Sequence, residues 1–344
     1  RAEINHRVVN GKLVKGKKSE GDWYVKWALR QWNANYERYL KGEITLDDLK
    51  NSPSRPTLLA KMRIQNGDLK FQPATPQDVD KLWKAAEELR KMWGDPDIPI
   101  EMFAPYQMGT AGAFRITLWG FDKFFKLFNP RQLLILVKLV KLIRKVGRLA
   151  EEEKLREGVS GEEAKKYAEA VTTYLAIALI RYADYNTVSN LWDTWFLKIS
   201  HGLTARGIAM MWNWGDLKPE TELTGSYSKS IKNVNEAIEY LTNISNPPRV
   251  VLDDATELSR LEGERLDVVV TDPPYADDVP YAELSDFYYV WLKRALSGVE
   301  GGELRPRFLP EAFFDEFGLE IPTQWQRFAP REVSENVGRW EHFG

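Results

Sequence analysis

Four consecutive residues, Asp272-Pro273-Pro274-Tyr275, follow the apolar run Val268-Val269-Val270-Thr271. A carboxylate, two prolines and an aromatic ring in that order suit one kind of chemistry. The lone pair of an exocyclic base amine is delocalised into its ring, so the amine is a poor nucleophile. Acceptors that bind both amine hydrogens draw the nitrogen toward tetrahedral geometry and restore its lone pair. Asp272 offers a carboxylate and Pro273 a backbone carbonyl. Pro273 and Pro274 fix the turn, so both acceptors stand in place before the base arrives. Tyr275 is suited to stacking on a base that has left its helix. Asp and Pro are also ordinary turn residues, so a bare Asp-Pro-Pro could simply end a strand. The whole run from Val268 to Tyr275, with an aromatic helix behind it, favours methyl transfer to a base amine.

A second acidic position lies upstream. Asp254, between Asp253 and Ala255, follows the short apolar run Arg249-Val250-Val251-Leu252. In a nucleotide-binding α/β sheet an acidic side chain at this place accepts from the adenine amine of the cofactor. Either aspartate also suits the N-cap of a following helix. Asp254, Ala255 and Asp272 are therefore the candidate contacts to the methyl donor S-adenosylmethionine, and Tyr275 and Tyr281 the candidate contacts to the base. Asp277, Asp278, Asp286, Tyr288 and Tyr289 are expected in the loop and helix beside the pocket, whereas Phe287 and Trp291 fall at core spacing. The tryptophan-rich stretches 23–36 and 191–214 read as core in preference to base-stacking surfaces. Lys12, Lys15, Lys17 and Lys18 form a candidate phosphate contact or a solvated loop.

These residues need elements to hold them. Continuous Val-rich runs at 249–252 and 266–271 predict parallel strands covered on both faces, with a short helix at 255–261 between them and a helix at 282–296 after them. That alternation predicts a doubly wound sheet, with Asp272 at a strand's carboxyl end, where such sheets bind ligands. Upstream, the pattern predicts a helix over 22–40 and a short capped helix over 45–50. A hairpin turning at Asn66-Gly67 follows, then a helix from Thr75-Pro76-Gln77-Asp78 to about Met92. Residues 95–120 read as loop. Long helices are expected from Pro130 to about Val146 and from Gly161 to Tyr185, then an irregular aromatic stretch over 186–230 and a helix over 234–241. The resulting fold class is α/β: a partial Rossmann-like methyltransferase sheet behind a largely helical, aromatic-rich region. Its divisions are 1–74 (polar and aromatic, with the hairpin), 75–245 (mainly helical) and 246–344 (the catalytic α/β segment).

Composition sets the outer bounds. The 344 residues are 43% hydrophobic and 28% charged, with a net charge of -2. Any nucleic-acid contact must therefore come from local basic patches. Cysteine is absent, which excludes disulfides and thiolate zinc sites and fits a cytoplasmic protein. The three histidines, His6, His201 and His342, are far apart in sequence, so no metal site is expected. The apolar stretch 133–146 is interrupted by Lys138, Lys141, Arg144 and Lys145, too charged to span a bilayer.

The segment from Val268 through Asp272-Pro273-Pro274-Tyr275 to Tyr281 and Phe287 resembles large prokaryotic adenine-specific DNA methylases of the zinc-ribbon-associated type. Phe128-Asn129-Pro130-Arg131-Gln132-Leu133, Ala183-Asp184-Tyr185-Asn186 and Glu332-Val333-Ser334-Glu335-Asn336 are similar to that family too, so the resemblance spans roughly 70–344. It implies methyl transfer from S-adenosylmethionine to a DNA amine, usually adenine N6. Two features of such enzymes have no counterpart in this sequence: the Gly-rich cofactor loop ahead of the catalytic motif and the zinc-ribbon cysteines. The expectation is a fragment with an incomplete cofactor site, inactive alone, its loop supplied by a missing segment or a companion chain. RNA and cytosine N4 remain alternative targets, and a non-catalytic DNA-binding or assembly subunit with a relic motif remains an alternative role.

Overall fold

The computed structural model describes residues 6–10, 12–15, 22–66, 68–105, 115–204, 207–244, 246, 248–251, 253–254, 257–272 and 279–331. Within them the chain is mixed α/β. A small antiparallel sheet of β1 (His6–Val9), β2 (Lys12–Lys15) and β3 (Asp22–Trp23) leads into helix α1 (Tyr24–Leu40). Helix α2 (Leu46–Lys50), the hairpin β4 (Ala60–Gln65) and β5 (Asp68–Pro73), and α3 (Pro76–Lys91) follow. The long helices α4 (Pro130–Arg156) and α5 (Gly161–Tyr185) form the centre. Hairpin β6 (Leu191–Asp193) and β7 (Lys198–Ser200), helix α6 (Tyr227–Thr242), helix α7 (Tyr281–Leu296), hairpin β8 (Gly298–Glu300) and β9 (Glu303–Arg305), and the short α8 (Trp325–Phe328) complete it.

Helix starts follow local chemistry. Thr75 Oγ1 accepts from the Asp78 amide while Asp78 Oδ2 accepts from the Thr75 amide, with Pro76 in the first turn. Asn129 and Gln132 make the same reciprocal pair at α4. Helix α4 then presents Leu133, Leu136, Val137, Val140 and Ile143, all buried, to α5 and α3. Its partner α5 offers small residues, Ala164, Ala168, Ala176 and Ala183, which let the two axes approach. The approach is tight at Gly147, where a Cβ would meet Thr172 Oγ1 of α5 and the Phe308 ring.

Helix α7 belongs to the same core. Phe287, Val290 and Trp291 are fully buried. Phe128 stacks on Phe287 with centroids 6.2 Å apart and meets Trp291 edge-on at 5.4 Å. At the helix's far end Arg294 makes a two-pronged ion pair with Glu101, at 2.9 and 2.7 Å, and donates to the Val290 and Ile98 carbonyls. Lys293 joins Glu101 at 3.2 Å and Glu320 at 3.0 Å. Burial alone would raise the Glu101 carboxyl, but the Arg294 and Lys293 cations hold it below the usual carboxylate range.

The described residues at 249–251 and 266–271 lie in no strand, which corrects the expectation of a parallel sheet there. Val268, Val269 and Val270 are 74%, 70% and 88% exposed. A strand's amides and carbonyls bond to its neighbours, so a valine run without a neighbouring strand has no ladder to join. Between these segments, Ser259–Leu261 form a single 3-10 turn in place of the expected helix over 255–261, of which 255 and 256 lie outside the described residues. No described helix is long and apolar enough to cross a membrane.

Candidate functional site

Asp272 stands exposed at the end of the valine run. Pro273, Pro274, Tyr275, Asp277 and Asp278 lie outside the described residues, as do Ala255, Lys17, Lys18 and 332–336. The described residues resume at Val279-Pro280, and α7 begins at Tyr281, which is 37% exposed. Helix α7, which follows the motif in sequence, is fixed in the core by Phe287 and Trp291.

Upstream, the two aspartates divide their roles. Asp253 closes the following turn: its carboxylate accepts from the amides of Arg260 at 2.6 Å and Asp254 at 2.9 Å, and from the Ser259 hydroxyl at 3.2 Å. The Arg260 amide, foremost among these donors, holds the Asp253 carboxyl below its ordinary range. Asp254 points elsewhere. Its Oδ2 accepts from Arg331 Nη2 at 2.5 Å, and Arg331 also approaches Glu257 at 3.6 Å. Arg331 ends the 3-10 turn 329–331, which packs on α7 through Ala329. Ala329, Trp325 and Ala104 form a small cluster against Ala282 in the first turn of α7. Asp254 is therefore tied, through Arg331, to the corner from which Tyr281 opens α7. Sequence reasoning did not single out Arg331; its signal was a lone cation directly before the Glu332-Val333-Ser334 run.

Further along α7 lies a buried acidic pair, Glu283 and Asp286, each 7% exposed. Burial pushes the Asp286 carboxyl up to about 6 against the backbone amides of Gln324 and Trp325, with Glu283 and Glu101 adding repulsion. The Gln324 amide donates to Asp286 Oδ1 at 3.4 Å. Burial and the nearby Asp184 carboxylate push the Tyr288 hydroxyl up to about 12. Asp184 itself accepts from the amides of Gly202 at 2.9 Å and Leu203 at 3.0 Å. Tyr289 donates to the Ile321 carbonyl at 2.7 Å. Tyr288 and Tyr289 thus serve packing as well as any pocket.

Two of the other conspicuous segments meet. Asn129 and Arg131 both donate to Asp216, at 2.7 and 2.8 Å. Asn186 accepts from the Leu217 amide at 2.9 Å, and Asn190 both donates to and accepts from Gly215, at 2.8 and 2.7 Å. The segments 128–133 and 183–186 are thus clamped together through 215–217, beside the Phe128 ring that seats α7. Gly301 and Gly302 make the tight turn between β8 and β9, with φ of 60° and 82°.

The tryptophans split between core and surface. Trp32 and Tyr36 are buried, while Trp195 is 87% and Trp212 62% exposed. Lys12 and Lys15 are exposed on β2. Comparison of the chain with family models, with curated proteins and with solved structures returned no match.

Proposed function

We propose that this chain carries the amine-holding half of an S-adenosylmethionine-dependent nucleic-acid methyltransferase, acting on an exocyclic base amine, with adenine N6 in DNA the first candidate. The single observation that carries the reading is Asp272-Pro273-Pro274-Tyr275: a carboxylate, a rigid carbonyl and an aromatic ring between an exposed valine run and a helix seated in the core. In this reading Asp272 and the Pro273 carbonyl accept the two amine hydrogens, and Tyr275 stacks on the base. Pro274 keeps the turn rigid, and Tyr281 flanks the entrance.

The described residues do not by themselves cradle the cofactor. Asp254 is a suitable acceptor for an adenine amine, but it is engaged by Arg331, and the sequence has no Gly-rich loop of the expected type. The proposal includes a Rossmann-like sheet in which 249–252 and 266–271 become strands once neighbouring strands and a Gly-rich loop, from a further segment or a companion chain, lie alongside. The exposure of the valines supports this, since full burial of a valine is worth ~1.5–3 kcal/mol. The absent loop also favours a second reading, a non-catalytic subunit that retains the motif.

The test is label transfer. The protein, alone and with any polypeptide that completes it, is incubated with isotope-labelled S-adenosylmethionine and unmodified DNA or RNA, which are then digested to nucleosides for mass spectrometry. Labelled N6-methyladenine from DNA is the expected product. Label in N4-methylcytosine or in RNA would move the substrate. No label from folded protein in either setting would sink the catalytic reading in favour of the second.

A further inference from the structure

We infer that the β6–β7 hairpin is a stacking platform for an unpaired nucleic-acid strand. Its loop, Thr194 to Leu197, displays Trp195 at 87% and Phe196 at 66% exposure. Single exposed apolar residues are common on protein surfaces, but two large adjacent rings held outward by a fixed backbone are not. The backbone here is fixed: Asp193 Oδ1 accepts from the amides of both Trp195, at 2.9 Å, and Phe196, at 3.0 Å. Leu197 then takes the left-handed conformation, φ 49°, which a leucine adopts only at a cost in energy. The hairpin is braced from behind by Phe71 of β5, which meets Trp192 edge-on at 5.7 Å. The loop is thus preorganised to present its rings rather than to bury them.

Its surroundings are cationic. Lys198 lies 5.1 Å from the Phe196 ring, and exposed Arg181 lies 5.6 Å from Tyr185, which in turn contacts His201 just beyond β7. The β4–β5 ribbon sets Arg63 directly opposite Lys70, a like-charged cross-strand pair that costs stability unless an anion lies nearby. Among the described residues Arg63, Lys70, Arg181 and Lys198 have no carboxylate partner, whereas Lys61 on the same ribbon pairs with Asp78 and His201 lies 3.5 Å from Asp184. Flat rings with unpaired cations around them match the needs of a single strand: bases for the rings, phosphates for the cations. A paired duplex hides its base faces, so the unpaired strand is the better fit. The choice of nucleic acid rests on the base-amine reading proposed above, and such a platform would hold the strand from which the target base is taken.

The experiment is anisotropy titration of a fluorescently labelled 20-nucleotide DNA strand across a salt series, with Phe317→Ala as a control for an equally exposed ring elsewhere. Trp195→Ala/Phe196→Ala is expected to weaken binding at least about tenfold. Arg181→Glu/Lys198→Glu is expected to lower the salt slope by about one unit, and Phe317→Ala to change neither. Unchanged affinity in the double ring variant would overturn the inference. So would hairpin-dependent binding to anionic phospholipid vesicles without binding to the strand. Label transfer by the wild-type and hairpin-variant proteins separates the two readings: hairpin-dependent binding with no methyl transfer by the wild-type protein upholds the platform and sinks the methyltransferase. Transfer that is indifferent to the hairpin does the reverse.

Discussion

On one face of α4 the apolar side chains are under cover: Leu133, Leu136, Val137 and Val140 have no exposed surface. In the strip 248–272 the same kinds of residue stand in the open, with Val250 87% and Val270 88% exposed. The two regions have similar local hydrophobicity and different fates because their hydrogen bonds go to different places. A helix satisfies its own backbone and needs only a neighbour for one face. A strand needs a neighbour for its backbone as well. The helical body is therefore complete on its own terms, while the strip that leads to Asp272 remains without a ladder. The contrast places Asp272, the first of the four candidate residues, at the end of the least self-sufficient described strip, whereas α7, which follows in sequence, is among the most firmly seated helices.

Substitutions can break or sharpen this contrast. Trp291→Ala, in the body, should cost ~3–5 kcal/mol by urea unfolding, the usual loss for a fully buried aromatic. Val269→Ala, in the strip, should change stability by less than ~0.5 kcal/mol; a large loss there would mean that the strip is covered after all. Arg294→Met should cost about 3–5 kcal/mol, because it leaves the Glu101 carboxylate without its main partner in a desolvated site. That loss should be largest near neutral pH and shrink as acid protonates Glu101, since a depressed carboxyl contributes stability above its unfolded pKa and loses it as pH falls.

Asp286 works with the opposite sign. Its carboxyl is raised to about 6 in the folded protein from 3.8, so the folded state holds the proton more tightly. Asp286 thus destabilises above pH 6, and the penalty disappears as pH falls through 6 toward 4. Asp286→Asn should stabilise the protein by about 1–2 kcal/mol at pH 7.5 and flatten the stability profile between pH 4 and 6. A destabilised variant at pH 7.5 would show instead that the charge is needed where it lies. A small effect is also expected for Arg331→Ala, whose exposed ion pair with Asp254 is worth within about 1 kcal/mol. If Asp254 is a cofactor contact, that variant should leave S-adenosylmethionine binding intact or improve it, as read by isothermal titration.

The body was largely legible in the sequence. Thr75-Pro76-Gln77-Asp78, Pro130 and the hairpin signal at 58–72 announce their elements by short-range chemistry, and α3, α4 and the β4–β5 hairpin follow them. Helix α4 runs to Arg156, past the expected end near Val146, because Gly147 lies in the close approach to α5 and does not break the helix. Helix α6 starts at Tyr227, ahead of the expected 234, because Ser226 accepts from the Lys229 amide. The β6–β7 hairpin was not foreseen: strands this short carry no period, and its turn depends on the Asp193 carboxylate. The Val-rich runs misled for a different reason. Apolarity shows that a segment is fit to be a strand, but its partner strands decide whether it becomes one. The residues of the site were visible by type and spacing, whereas the Arg331 pairing of Asp254 and the burial of Asp286 depend on contacts across long stretches of chain.

The most direct test of the account is the Asp272→Asn substitution, which keeps the side chain's size and removes its charge. It is assayed for label transfer from S-adenosylmethionine to nucleic acid in the setting where the wild-type protein is active. The account predicts that transfer falls by at least about a hundredfold, while the unfolding midpoint stays where it was, because Asp272 is exposed. Transfer at the wild-type rate would contradict the role assigned to Asp272, and with it the chemistry read from the four residues that begin there.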